Sequence, residues 1–206
     1  QEACYGGTWQ AHAVFESDAC GRIDLAQQAP LSGDYSGADA MGLFYAMQPQ
    51  EPRRRAPRRS KRLESIPVHR GYHVTFSATF RGQLIASQTC QRLFSPATIH
   101  FTDITQQGFV GRFFYPADHQ RHPAVLVLSG SDGRIEKAQL IAQLLAAHGY
   151  AALALCYFGL TGSPSALSQI DLEPLEKALA WLSVQAEVLP DKLALYGRSK
   201  GGELAL

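Results

Sequence analysis

Lys192-Leu-Ala-Leu-Tyr-Gly-Arg-Ser199-Lys-Gly-Gly-Glu-Leu-Ala-Leu206 is the stretch whose reading decides the fold. Leu193 to Tyr196 is a short apolar run, which predicts a buried strand. Gly197-Arg198-Ser199-Lys200-Gly201 fits G-x-S-x-G, and Glu203 to Leu206 begins like a helix. A strand, a sharp turn with serine at its apex and a helix together make the context of a nucleophile elbow. Glycine is needed at 197 and 201 because the incoming strand and the outgoing helix approach closely there. The competing reading is an ordinary Gly-rich turn with an incidental serine, and the flanks favour the elbow.

Upstream, Pro123 to Leu128 is a continuous apolar run, as expected of a parallel strand covered on both faces. Ser129-Gly-Ser-Asp-Gly133 is a turn of small residues. Ala138, Ile141, Ala142, Leu145 and Ala146 recur at helical spacing, and Gly149 closes that helix. Tyr150 to Cys156 predicts a second buried strand. Asp171 can cap a second helix, with Pro174 in its first turn and an end near Gln185. Strand, helix, strand, helix, strand predicts an α/β domain with a parallel sheet over 117–206.

A serine nucleophile needs an oxyanion hole and a base. The backbone N–H of Lys200, just after the serine, is one expected donor. The others are expected from the loop after the first parallel strand, at Gly130 and Ser131, where small residues let backbone N–H groups face the site. On this scaffold the chain order is Ser, then acid, then His. No Asp and no His follows Ser199 up to Leu206, so the triad Asp and His are expected to be absent from this chain. Upstream, His119, His122 and His148 stand in the wrong order, and His148 reads as a surface cap at a helix end.

Residues 1–116 read as β structure. Trp9 to Glu16 and Arg22 to Leu25 alternate loosely, and Met41 to Met47 fits a short strand or turn. Tyr72, Val74, Phe76, Ala78 and Phe80 alternate with polar neighbours, which predicts one buried face. Arg81-Gly82 punctuates that run, so 72–94 predicts a hairpin. Ile99 to Ile104 and Gly108 to Tyr115 add two strands. Several short strands with turns between them predict a β-sandwich. The boundary with the α/β domain is expected near 117–122.

The 206 residues are 46% hydrophobic and 18% charged, ordinary globular material. No apolar run reaches eighteen residues, so no membrane span is expected. No leader pattern precedes the first strand, although the chain begins at Gln1 and not at Met. The cysteines at 4, 20, 90 and 156 are scattered without C-x-x-C spacing. They predict no metal site and suit a reduced, cytoplasmic setting, a Cys4–Cys20 bridge being the alternative. Cys156 reads as a small core residue. Seven basic residues crowd positions 53–62, leaving 12 basic against 18 acidic groups elsewhere. The run reads first as a solvated loop and second as an anion site. No aromatic residue interleaves it, which argues against nucleic acid. Nothing in the sequence fixes an oligomeric state.

Trp9 to Pro30 and Asp34-Tyr-Ser-Gly-Ala-Asp-Ala-Met-Gly-Leu-Phe44 resemble the N-terminal domain of the acyl-CoA thioesterase and bile acid-CoA:amino acid N-acyltransferase family. Leu128-Ser-Gly-Ser-Asp-Gly133, His148 to Leu155, Tyr157-Phe-Gly159 and Tyr196-Gly-Arg-Ser-Lys-Gly-Gly-Glu-Leu204 are similar to that family's second domain. The resemblance implies an immunoglobulin-like β-sandwich over 1–116, short of its first strands, and a partial α/β-hydrolase domain over 117–206. It implies that Ser199 attacks the thioester carbonyl of an acyl-CoA, forming an acyl-enzyme that water clears to free acid and CoA, with no cofactor. The amino-acid-conjugating members use cysteine, so a serine at 199 favours hydrolysis. Arg53, Arg54 and Arg55 could then contact CoA phosphates. The resemblance also places the family's Asp and His beyond the span of this chain, which is therefore expected to be nearly inactive alone. The alternatives are a carboxylesterase or dienelactone-type hydrolase, or a catalytically inactive truncated fragment.

Overall fold

A computed structural model describes residues 7–50, 60–131 and 134–206. The chain divides into two compact units, Gln1–Pro57 and Arg58–Leu206.

The first unit is built from short ladders. Strand β1 (Trp9–Gln10) pairs antiparallel with β4 (Gln48–Pro49), and β2 (Ala13–Val14) with β3 (Ser32–Gly33). Helix α1 (Gly42–Tyr45) occupies the stretch expected as a strand or turn at 41–47. Side chains knit this unit. Asp34 accepts a hydrogen bond from the His12 N–H at 2.6 Å. Asp39 accepts from the Met41 N–H and the Tyr45 hydroxyl, and the Met41 bond is the main reason its carboxyl sits below the usual range. Arg22 to Leu25, expected as a strand, pairs with no ladder and leads into a turn at 25–27, where Asp24 accepts from the Ala26 N–H. Asp at that position bonds its own backbone, which competes with a ladder.

The second unit opens with a 3-10 turn at Leu63–Ser65 and a long hairpin, β5 (Gly71–Phe80) and β6 (Gln83–Leu93). Arg81 and Gly82 form its two-residue turn with φ of 49° and 80°, the positive pair that such hairpins require. The alternation at 72–80 predicts a buried face, yet of its apolar residues Val74 is buried while Phe76 and Phe80 are exposed. Among the described residues, the chain before Ile99 thus forms three separate two-stranded ladders, and the expected immunoglobulin-like sandwich is not seen.

The core sits in a five-stranded sheet of order β11-β9-β10-β8-β7. Its strands are β7 (Ile99–Ile104), β8 (Val110–Pro116), β9 (His122–Leu128), β10 (Ala151–Cys156) and β11 (Val188–Gly197). Strands β9, β10 and β11 run parallel, whereas β8 is antiparallel to β10 and to β7. The apolar run Leu193 to Tyr196, expected to be buried, is instead exposed at Leu193, Leu195 and Tyr196, because β11 is an edge strand of the sheet among the described residues. Strands β7 and β8, assigned from sequence to the sandwich, therefore belong to the α/β sheet. The boundary expected at 117–122 falls between two strands of one sheet, inside the second unit. The physical reason is burial: Phe109 to Phe114 is buried on both faces, which only a covered sheet provides.

Helices α2 (Ile135–Ala147) and α3 (Glu173–Ser183) fall where the helical spacing predicts. Asp171 accepts from the Glu173 N–H at 3.0 Å, and Pro174 lies in the first turn. Ala138, Ala142 and Ala146 of α2 share one core with Val125, Val127 and Ala152. Ala178 and Leu182 of α3 share the other with Leu126, Leu128 and Leu153. Alternate residues of each central strand thus serve opposite cores. His148 makes the expected end of α2, its ring Nδ1 2.8 Å from the Leu144 carbonyl. Cys156 is buried in β10, as expected. No helix among the described residues is long and apolar enough to cross a membrane.

Arg112 of β8 is 2% exposed. Its five N–H groups meet five acceptors. Nε and one Nη donate to the Asp103 carboxylate at 2.5 and 3.0 Å. The remaining bonds go to the Ile66 carbonyl at 3.0 Å, the Gln139 Oε1 at 2.6 Å and the Leu63 carbonyl at 3.2 Å. The guanidinium also lies 5.1 Å from the Phe101 ring centroid. One side chain thereby ties the 63–66 turn, β7 and α2 to the sheet. Breaking such a pair leaves buried polar groups unmatched, so Arg112→Met should lower the free energy of unfolding by about 3 kcal/mol. Urea denaturation reads this, and a loss below about 1 kcal/mol would mean the cluster behaves like a surface pair.

Candidate active site

The parallel strands deliver their loops to one edge. Gly197 of β11 is level with Leu128 of β9, and Leu128 with Leu155 of β10. The three loops that follow these strands therefore leave the sheet from one row.

At the end of β11 the chain turns sharply through Ser199, at φ +52° and ψ −120°, into α4 (Lys200–Leu204). A non-glycine residue there is strained. A Cβ at Gly197 would lie 2.2 Å from the Gly201 carbonyl oxygen, and one at Gly201 would lie 2.2 Å from the Ser129 carbonyl oxygen. Both contacts are with backbone, which cannot move aside as a flexible side chain could. Ser199 is exposed, while Lys200 is half-buried and pairs with Glu203 one turn along α4. As the first residue of a helix, Lys200 has an N–H without an intrahelical acceptor.

The loop after β9 touches this elbow. The Arg198 N–H donates to the Leu128 carbonyl at 3.2 Å, and the Ser129 carbonyl is the near neighbour of Gly201. The Ser129 hydroxyl donates to the Arg134 carbonyl at 3.0 Å, fastening the two ends of the loop. The Leu128–Ser129 backbone is thus held against the elbow. Asp132 and Gly133 of the same loop, like Arg53, Arg54, Arg55 and Cys4, lie outside the described residues.

Sequence reasoning missed what holds the loop. Tyr157, just past β10, lies with its hydroxyl 2.9 Å from the Ser129 carbonyl and 2.6 Å from that of Gly130. In a trans peptide the C=O and the following N–H point in opposite directions. Carbonyls 129 and 130 turn toward Tyr157, so the N–H groups of Gly130 and Ser131 turn away from it. No local pattern announces this, since Tyr157 and its acceptors are 27 and 28 residues apart.

The upstream histidines stand elsewhere. His122 opens β9, its Nε2 2.9 Å from Asp118 and its Nδ1 3.0 Å from the Gly149 carbonyl. The hydrogen bond from His122 lowers the Asp118 pKa. The pair looks like a catalytic dyad, but it sits at the amino end of a seven-residue strand whose carboxyl end carries the serine edge. The strand length separates them by about 20 Å. His148 caps the far end of α2 and is likewise remote in the fold.

A mixed α/β sheet with a serine on a strand–turn–helix elbow at its carboxyl edge defines the α/β-hydrolase class. A profile of the family described as "Acyl-CoA thioester hydrolase/BAAT N-terminal region" matches residues 2–106, and the chain belongs to that family. It is similar to mouse acyl-coenzyme A thioesterase 6, 32% identical over 98% of this chain and 47% of that protein. It is also similar to mouse acyl-coenzyme A amino acid N-acyltransferase 1, 29% identical over 96% of the chain and 48% of that protein. The chain thus spans about half the length of these relatives. Among solved structures, a hyperthermophilic esterase from Pyrobaculum calidifontis is 25% identical over 54% of this chain and 38% of that one, with a TM-score of 0.43.

The strain at position 199 can be measured directly. Glycine tolerates this backbone and alanine does not, so Ser199→Gly should be more stable than Ser199→Ala by about 1 kcal/mol in urea unfolding. The reverse order would remove the case for a strained elbow.

Proposed function

We propose that the protein hydrolyses acyl-CoA thioesters through an acyl-enzyme on Ser199. The observation that carries this reading is the backbone of Ser199, held exposed at φ +52° between β11 and α4 in a chain of this family. An exposed, strained apex presents the hydroxyl to a carbonyl carbon approaching the sheet edge. In the reaction, the Ser199 Oγ bonds to the thioester carbon and its proton passes to a base. The oxyanion that forms lies between the N–H of Lys200 and those of Gly130 and Ser131. Collapse breaks the C–S bond, and the CoA sulfur leaves with the proton. Water then adds to the acyl-serine ester and releases the fatty acid.

The base and its carboxylate belong, on this reading, to the half of the relatives' length that this chain does not span. The Asp118–His122 pair is at the wrong end of the sheet to serve. Tyr157 is a positioning residue: it touches no reacting atom and acts by aiming the loop at 129–131. The arginines at 53–55 are the proposed contacts for CoA phosphates. Serine as nucleophile directs the acyl group to water and not to an amino acid, and no cofactor enters the cycle.

In the full-length protein, Ser199→Ala should lower kcat for acyl-CoA by at least about 10⁴-fold, since a triad loses nearly all its advantage with its nucleophile. Undiminished turnover would overturn the assignment, and activity confined to simple esters would make the protein a carboxylesterase. Tyr157→Phe should lower kcat about tenfold with KM unchanged, because an oxyanion donor out of place weakens only the transition state. It should also weaken binding of a trifluoromethyl ketone analogue of the tetrahedral intermediate more than binding of a non-hydrolysable thioether. Equal losses for both ligands would reduce Tyr157 to a packing role.

A further inference from the structure

Two residues at the end of the basic run, Ser60 and Lys61, are bonded to both loops that leave β9 and β10. The Thr161 N–H, in the loop after β10, donates to the Lys61 carbonyl at 2.7 Å. The Arg134 guanidinium, where the loop after β9 enters α2, donates to the Ser60 carbonyl. Ser60 is itself well anchored. Its hydroxyl lies 2.7 Å from that of Ser65 and accepts from the Arg62 N–H at 3.1 Å. Leu63 and Ile66, just beyond, are buried, and their carbonyls are held by Arg112. A continuous path of contacts therefore runs from the buried Arg112 cluster through the turn at 63–66 to Ser60.

Arg134 is where that path meets the loop after β9. Its side chain is only 14% exposed. Nε donates to the two Glu136 carboxylate oxygens at 2.9 and 3.3 Å, a charge-assisted pair that aims the planar fork. The stem crosses Gly159, where a Cβ would lie 3.2 Å from Arg134 Cγ. The main chain of Arg134 is engaged as well, its carbonyl accepting from the Ser129 hydroxyl at 3.0 Å. One residue is thus tied by its side chain to Ser60 and by its backbone to the first residue of the loop. Tyr157 grips the same loop at the Ser129 and Gly130 carbonyls, from the β10 side. Arg134 holds it where it returns into α2.

We infer that Arg134 is a positioning residue for the reaction at Ser199, acting as a brace between the segment at 60–61 and the loop at 129–131. The inference rests on the reading of that loop as a source of oxyanion donors and adds a residue that touches no reacting atom. No local pattern in the sequence points to it, since Ser60 and Arg134 are 74 residues apart. Positive charge alone does not make the brace. Nε serves Glu136 while another nitrogen of the fork serves Ser60, and a lysine ammonium has no such fixed, divergent donors. Methionine keeps an apolar stem over Gly159 and loses every donor.

The test removes the brace and reads the loop. In the full-length protein, Arg134→Met should lower kcat for acyl-CoA about tenfold with KM unchanged, as expected of oxyanion donors out of place. Backbone amide exchange at Gly130 and Ser131 should quicken severalfold, while that of Leu126 and Leu153 in the sheet stays as in wild type. Arg134→Lys should recover part of kcat. Arg134→Gln, which keeps a polar group and loses the charge, is the second variant should the Met variant misfold. Unchanged kcat in a folded variant whose hydrolysis still depends on Ser199 would overturn the brace and leave the thioesterase reading standing. Exchange quickened equally through β9 and β10 would make Arg134 a general stabiliser and overturn it too. Should wild type hydrolyse no acyl-CoA, the thioesterase reading fails first, and exchange alone decides the brace: quickening confined to the loop supports it, and unchanged or general exchange overturns it.

Discussion

At Gly201 the first turn of α4 presses on the backbone leaving β9 so closely that no side chain fits between them. The other features of the site depend on this contact. It brings the Ser129 carbonyl against the elbow and requires glycine at 201, while the close return of Gly201 and Gly202 onto the end of β11 requires glycine at 197. The contact is possible because β11 lies directly beside β9 in parallel register. An elbow at the end of a strand farther along the sheet would have no such loop to lean on.

Register does the rest of the positioning. Gly197, Leu128 and Leu155 end three neighbouring strands in one row, so three loops that are distant in sequence share one edge. The first carries Ser199, the second Gly130 and Ser131, and the third Tyr157, whose hydroxyl meets the Ser129 and Gly130 carbonyls.

The parallel half of the fold was legible because its signals are local. Pro123 to Leu128 is apolar throughout, α2 closes at His148 and Gly149, and the elbow motif carries its own flanks. The antiparallel part of the sheet was not legible. Ile99–Ile104 and Val110–Pro116 alternate and turn like sandwich strands, and what assigns them to the α/β sheet is the pairing of Val110–Pro116 with Ala151–Cys156, some forty residues downstream. Arg112 was invisible for a related reason. A basic residue in a strand reads as a solvent-facing position, and only the assembled acceptors make its burial tolerable. The aromatic alternation at 72–80 misled in the other direction, since a period of two gives a face but not what covers it.

Arg112 has a consequence for how this sequence can vary. Its guanidinium spends all five donors on Asp103, Gln139 and two carbonyls of the turn at 63–66. Lysine has three donors and no planar fork, so it cannot take over the set. An apolar replacement strands a carboxylate. Positions 103, 112 and 139 are therefore mutually conditional: drift at one of them is tolerated only with compensating drift at the others. Across the lineage these three sites should change together or stay fixed, while the exposed hairpin at 71–93 is free to diverge residue by residue.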